Sequence, residues 1–283
     1  KDLVVNNGTL NTNGNSVRSG RINFNNTATV NLSSSSIYLY RAYNSFNSPN
    51  INAGTSTIYL RQNNNSSVYT FHSFSNLMYN LIIESSFSVE IKANGGGYNK
   101  IEHKGGGAAA LENITVDSLI VDPGKTLEIS GNVTLNDYLE VNGTCNLPSS
   151  LTGLGTLTSS TGNIVVNHTN IENITATGGA SFVANDSYDL GGNSGWTING
   201  TTPKDYYWVG DGGDWNDGSH WALTSGGSGS GCVPTSQDNV YFDANSFSTA
   251  SQTVSINGSV ADCKSMGWTG VLNAPTFSIG NEL

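Results

Sequence analysis

Five aspartates close together in this chain have the chemistry to hold a hard cation. Asp211, Asp214 and Asp217 sit three apart in a glycine-rich loop, and Asp238 and Asp243 follow. Carboxylate oxygens on a flexible loop are the ligands that Ca²⁺ takes. The spacing is not that of an EF-hand loop, which alternates acidic or amide residues before a glycine and closes with a glutamate. Aspartates also cap turns by accepting backbone N–H groups. Both uses stay open on sequence alone, and Ca²⁺ is the one cofactor suggested.

The same stretch carries Trp208, Trp215 and Trp221, whereas no tryptophan precedes Trp196. Aromatic faces at such spacing could stack against sugar rings. A structural cap is the favoured use, because the end of a stacked core must be closed against water. Three cysteines leave at least one unpaired in the chain. Cys232 and Cys263 bracket two expected strands and are the expected disulfide, which would contribute roughly 3–4 kcal/mol on a chain-entropy account. Cys145 falls at an inward position of an apolar triplet and reads as a small buried hydrophobe. The histidines, His72, His103, His168 and His220, are dispersed and none neighbours a convincing nucleophile. No Cys-x-x-Cys, His-x-x-x-His, Gly-x-Ser-x-Gly or phosphate-binding glycine loop is present. No catalytic residue is assigned. A carbohydrate-binding module or a polysaccharide-active β-helix enzyme is the alternative reading, weakened because all four arginines lie before residue 62, far in sequence from the densest acids.

The elements that would position these residues are short strands. Charged residues make up only 11 % of the 283, and uncharged polar residues fill the space, with 34 glycines and 38 asparagines. Glycine and asparagine tolerate the left-handed backbone that tight turns demand, so the composition points to many turns. The formal charge of −10 and the pI near 4.6 argue against nucleic acid and anionic lipid as partners. No stretch approaches the ~20 apolar residues of a membrane span, so no membrane insertion is expected. The chain starts at Lys1 without a signal peptide and stops within the strand-like Thr276-Phe-Ser-Ile279, as expected of an excised section of a longer secreted protein.

Between residues 119 and 147 the pattern is clearest. Leu119-Ile-Val121, Leu127-Glu-Ile129, Val133-Thr-Leu135, Leu139-Glu-Val141 and Cys145-Asn-Leu147 are short apolar triplets broken by turns such as Asp122-Pro-Gly124 and Asn142-Gly143. Leu119 and Leu139 are one β-helical coil apart, so alternate side chains should stack coil upon coil. Similar strands are expected at Leu3–Val5, Arg21–Phe24, Ala28–Leu32, Ser36–Leu39, Thr57–Leu60, Val68–Phe71, Tyr79–Ile83, Ser88–Ile91, Ile164–Val166 and Ser181–Val183. Downstream, Asp238–Asp243, Thr253–Ile256 and Val271-Leu272 restart the pattern. The glycine triplets Gly95–Gly97 and Gly105–Gly107, which flank Tyr98–His103, read as loops leaving the coil or as a protruding hairpin. An antiparallel sandwich competes, because its short strands look alike, but the period of about twenty favours the coil. Stacked asparagines should form hydrogen-bond ladders along it.

Two segments resemble a known family. Ile174–Trp196 is similar to the stretch that closes β-helical units in giant surface proteins of Bacteroidota. Tyr207–Trp221, with Gly231–Asp243 and Cys263–Trp268, resembles the opening motif of the next unit in the same proteins. The resemblance implies type IX secretion and kinship with the mobile adhesins of gliding cells, and the Cys232–Cys263 pair fits it. The expected architecture is therefore all-β: a right-handed parallel β-helix with its closing segment over 1–200, then a Trp-rich opening module over 201–283. The expected role is a non-enzymatic spacer or display rod of an extracellular, cell-surface adhesin or filament. Its expected partners are neighbouring repeats of the same long chain, and an extracellular polysaccharide or solid surface.

Overall fold

The computed structural model describes residues 1–41, 45–46, 50–62, 69–72, 77–93, 97–257 and 260–279. The chain is all-β, and its parallel sheets coil into a β-solenoid of about 12 turns. It divides into two compact units. The first is Lys1–Gly143 with Leu147–Gly200, and the second is Thr201–Leu283 joined by the three residues Thr144–Asn146.

In the first unit, the alternation of apolar and polar residues sets which side chains point inward. Ser36–Leu39 and Thr57–Leu60 each bury their second and fourth residues and half-expose the others. Nine strands then pair in parallel, from Val17–Ser19 through Gly97–His103 and Ile114–Val121 to Thr175–Gly178. Their register aligns Val17, Ile37, Ile58, Leu81, Ile101, Leu119 and Leu139 in one inward column. The expected stacking of Leu119 on Leu139 is therefore present. A second sheet of seven strands, from Tyr69–His72 to Tyr188–Asp189, supplies a facing column of Val89, Ala109, Leu127, Leu151 and Ile171. All five are fully buried. Burying one leucine or isoleucine side chain is worth roughly 1.5–3 kcal/mol, so the columns dominate the stability of this unit.

Outward positions carry ladders of another kind. Asparagine pairs bridge adjacent coils, including Asn31 to Asn11 at 2.6 Å, Asn99 to Asn80 at 3.2 Å and Asn167 to Asn142 at 3.0 Å. Lys92 spans Glu90 at 2.9 Å and Glu112 at 2.7 Å. Tyr38 stacks on Tyr59 with ring centroids 4.7 Å apart, and the Arg61 guanidinium lies 4.5 Å from the Tyr38 centroid. Each exposed ion pair contributes at most about 1 kcal/mol, so these ladders tune coil pairing while the interior sets its strength.

Three expectations about elements are corrected. Gly97–His103 is not a loop or hairpin but a strand of the nine-stranded sheet, paired with Leu77–Ile83 and Ile114–Val121. The glycines after it serve close coil approach, since a Cβ on Gly107 would fall 2.1 Å from the Phe87 carbonyl carbon. Gly95, Gly96 and Val68 lie outside the described residues. Cys145-Asn-Leu147 forms no regular strand: Leu147 is exposed, and the triplet belongs to an excursion from the coil. Val271-Leu272 is also irregular.

The second unit has two small sheets. Asp205–Trp208 lies between Asn239–Tyr241, to which it is parallel, and Trp221–Ala222, to which it is antiparallel, with Ser265–Gly267 outermost. Gly213–Asp214, Thr253–Ile256 and Thr276–Ile279 form the other, wholly parallel sheet.

Candidate functional site

The residues singled out for chemistry gather in the second unit. Trp208, Trp215 and Trp221 are 0 % exposed and share a core with Tyr206, Val240, Phe242, Phe247 and Val254. Trp221 meets Trp208 and Trp215 edge to face, at centroid distances of 5.0 and 4.7 Å. Such T-shaped pairs add about 0.5–1.5 kcal/mol beyond simple burial. The Trp221 indole N–H donates to the Trp215 carbonyl at 2.8 Å and that of Trp208 to the Asp211 carbonyl at 2.6 Å. With both faces enclosed, these rings have no surface to offer a sugar. The stacking-platform expectation is corrected, because the three tryptophans are the interior of this unit.

His220 completes the arrangement. Its ring lies parallel to Trp208 at 4.6 Å, and its Nδ1 is 2.8 Å from the Val209 carbonyl oxygen. This explains a glycine of the Gly-Asp-Gly-Gly-Asp-Trp run, since a Cβ on Gly213 would fall 2.2 Å from His220 Nε2.

The five aspartates each accept hydrogen bonds from turn backbone or side chains. Asp211 takes the Ser248 N–H and, at 2.8 Å, the Ser248 hydroxyl. Asp214 accepts from the Asn216 N–H and the Asn257 amide, both at 2.9 Å. Asp217 accepts the Ser219 N–H at 2.9 Å, capping the short 3₁₀ turn Gly218–His220. Asp238 bonds the Lys204 and Thr235 N–H groups, each at 2.7 Å, and Asp243 the Asn245 N–H at 2.8 Å. The bonds from Ser248 hold the Asp211 carboxyl below the usual carboxylate range, and those from Ser219 do the same for Asp217. Among the described residues, no group of three or more His, Cys, Asp or Glu side chains converges to hold a metal ion.

The cysteines pair differently from the expectation. Cys145 is bonded to Cys232, 87 residues away, with Cα atoms 5.6 Å apart, and Cys263 is free. The expected Cys232–Cys263 disulfide and the reading of Cys145 as a buried hydrophobe are both corrected. Asn146 reinforces this link within the second unit: its Oδ1 accepts the Val233 N–H at 3.3 Å and its amide donates to the Gly231 carbonyl. The Cys263 thiol is half-buried, and burial, with Asp262 nearby, raises its pKa, so it is a poor nucleophile. A signal for the excursion exists in the spacing. Cross-coil bonds such as Ser130 to Leu111 and Asn132 to Asn113 span 19 residues, whereas Gly124 to Ser149 and Asn142 to Asn167 span 25. The extra length is the loop that presents Cys145.

No family model, curated protein or solved structure matches this chain.

One histidine in the first unit lies outside this cluster. His103 is 0 % exposed and replaces an aliphatic residue in the inward column between Ile83 and Val121. Neither ring nitrogen has a well-formed hydrogen bond among the described residues. Burial, with the Lys125 charge nearby, pushes its pKa down to about 4, only partly offset by backbone groups of Gly107, Thr126 and Ile83.

Proposed function

We propose that this chain is a non-enzymatic segment of a large extracellular surface protein, an adhesin or filament in which the solenoid is a rigid spacer. The observation that carries the reading is the continuous parallel pairing from coil to coil, which a bulge at Val116/Ser118 shifts without interrupting. Columns such as Val17 to Leu139 pass through seven successive strands with paired backbone at each step. A hydrogen-bonded stack of this kind resists bending and lets each coil share its core with its neighbours. The exterior supports the same role, because amide ladders and ion pairs such as Lys92–Glu112 bridge adjacent coils. The disulfide suits an oxidising compartment.

In this reading, adjoining repeats of the same polypeptide are the nearest partners, and a polysaccharide or solid surface is the external one. The resemblance of the Tyr207–Trp221 segment to the opening motif of gliding adhesins supports attachment or gliding as the setting, with type IX export as the route. The test is the mass of the source polypeptide, detected by an antibody to this chain after reduction and denaturation. Several hundred kilodaltons is expected of a giant repeat protein. A mass near 30 kDa would overturn the proposal.

A further inference from the structure

Positive charge in this acidic chain is concentrated in one place. Residues 1–61 hold Lys1 and all four arginines against a single acid, Asp2, a net of +4, whereas residues 62–283 sum to −14 within the chain's −10. The coil register brings these arginines to one side of successive coils of the first unit. Arg18, Tyr38 and Tyr59 occupy one outward column. The Arg41 N–H donates to the Gly20 carbonyl at 2.9 Å, which sets Arg41 against Arg21 just beyond that column. The Arg61 N–H donates to the Leu39 carbonyl at 2.8 Å, which sets Arg61 against Tyr40 one coil later. The guanidiniums of Arg18 and Arg61 lie 5.3 and 4.5 Å from the Tyr38 ring centroid.

Two of the four arginines are matched within the molecule, Arg41 by Asp2 at 3.7 Å and Arg61 by Glu84. Arg18 and Arg21 are exposed, and neither has a carboxylate within ion-pair distance among the described residues. Farther along, the column of Arg18 runs through Ile82 to Glu102 and Glu140, so the positive side ends with these first coils. We infer that this cluster binds an acidic polysaccharide, with Arg18 and Arg21 taking the carboxylates of its uronic-acid sugars. A guanidinium offers a planar fork of donors that matches a carboxylate. Packing on Tyr38 holds the Arg18 fork in place, so less freedom is lost on binding.

Other polyanions fit less well. Single-stranded nucleic acid needs open aromatic faces on which bases stack, and Tyr38 is enclosed by Tyr59 and the two guanidiniums. The closely spaced phosphates of a duplex would be repelled by the −14 of the remaining chain, whereas a uronate polymer carries at most one charge per sugar. The acidic unit of a second copy is a weaker partner, because its aspartates are already occupied by turn hydrogen bonds. The inference gives a chemistry to the external partner of the spacer reading and rests on that reading for its place at a surface. Binding itself rests on the arginines alone.

The experiment is affinity electrophoresis or calorimetry of the full chain with polygalacturonate, with uncharged dextran and a short DNA duplex as controls. The expected result is binding to polygalacturonate alone, weakening as salt rises. Arg18→Gln combined with Arg21→Gln should weaken it by about tenfold or more, the loss expected for a hydrogen bond to a charged group. Lys125→Gln combined with Lys264→Gln lowers the net charge equally and should leave binding unchanged. An equal loss in both pairs would overturn the site, as would binding to dextran as tight as to polygalacturonate, or no binding. Tighter binding of the duplex would overturn the choice of glycan. So would a reversible dimer, seen by sedimentation and lost in the arginine pair, in a chain that ignores polygalacturonate. If the arginine pair fails to fold, the salt dependence and glycan preference of the unmodified chain still decide. Failure of this inference is distinguishable from failure of the spacer reading. Specific binding by a chain whose source polypeptide is near 30 kDa would retain the site and remove the spacer, and a giant source polypeptide without binding would do the reverse.

Discussion

Leu119 and Trp221 are both fully buried, yet they sit in cores built differently. Leu119 is one member of an aliphatic column, with Ile101 before it and Leu139 after it, and each coil repeats the arrangement. Trp221 sits at the centre of a single cluster, in ring contact with Tyr206, Trp208, Trp215 and Phe242. The first unit gains stability by repetition, so damage to one coil is shared with its neighbours. The second has few coils to share with, and large aromatic rings replace repetition, helped by a crosslink. A loop as long as the one closed by Cys145–Cys232 is worth about 4–5 kcal/mol on the chain-entropy account.

The contrast can be broken by substitution. Trp221→Ala should have the largest effect, a loss of about 3–5 kcal/mol confined to the second unit. It would be read as collapse of the tryptophan near-ultraviolet signal while amide exchange in Leu77–Ile83 and Gly97–His103 stays slow. Loss of protection in both units would mean that they do not fold separately. Leu119→Ala should cost about 3 kcal/mol and speed exchange in its own coil and the two beside it. An effect spread evenly over every coil would contradict the column account.

Acid should separate the units next. The His103 pKa is about 4 when folded, against about 6.5 when unfolded, so the unfolded chain takes up a proton first as pH falls. The first unit is thus most stable above pH 6.5 and loses stability between 6.5 and 4, by at most about 3 kcal/mol. His103→Leu should flatten that window, as measured by denaturant midpoints across pH, and a window unchanged by the substitution would remove His103 as its cause. At the small end, Asp217→Ala should cost the second unit about 1 kcal/mol through loss of its cap on Ser219. Because all five aspartates already serve as turn acceptors, EDTA should leave the thermal midpoint of that unit unchanged. A fall on chelation would show that they bind Ca²⁺ as well.

Much of the first unit was legible in its sequence, because strict alternation within strands and a coil length near twenty leave few alternatives. Leu119, Val121, Leu127 and Ile129 are buried as that pattern requires. Gly97–His103 was misread because flanking glycines signal loops as readily as they signal close coil approach. The second unit was less legible. Tryptophans near aspartates fit a surface site or an interior equally well, and only packing distinguishes them. Cys145 was misread because an apolar-x-apolar triplet carries no mark of leaving the coil. That mark lies in the longer spacing of the coil around it, visible only once the register is known.

Labelling of intact cells of the source organism tests most directly the proposal that this chain is part of a surface structure. Antibodies raised against the folded chain should bind unpermeabilised cells, and brief external protease should remove the signal. Labelling that appears only after permeabilisation would contradict the claim.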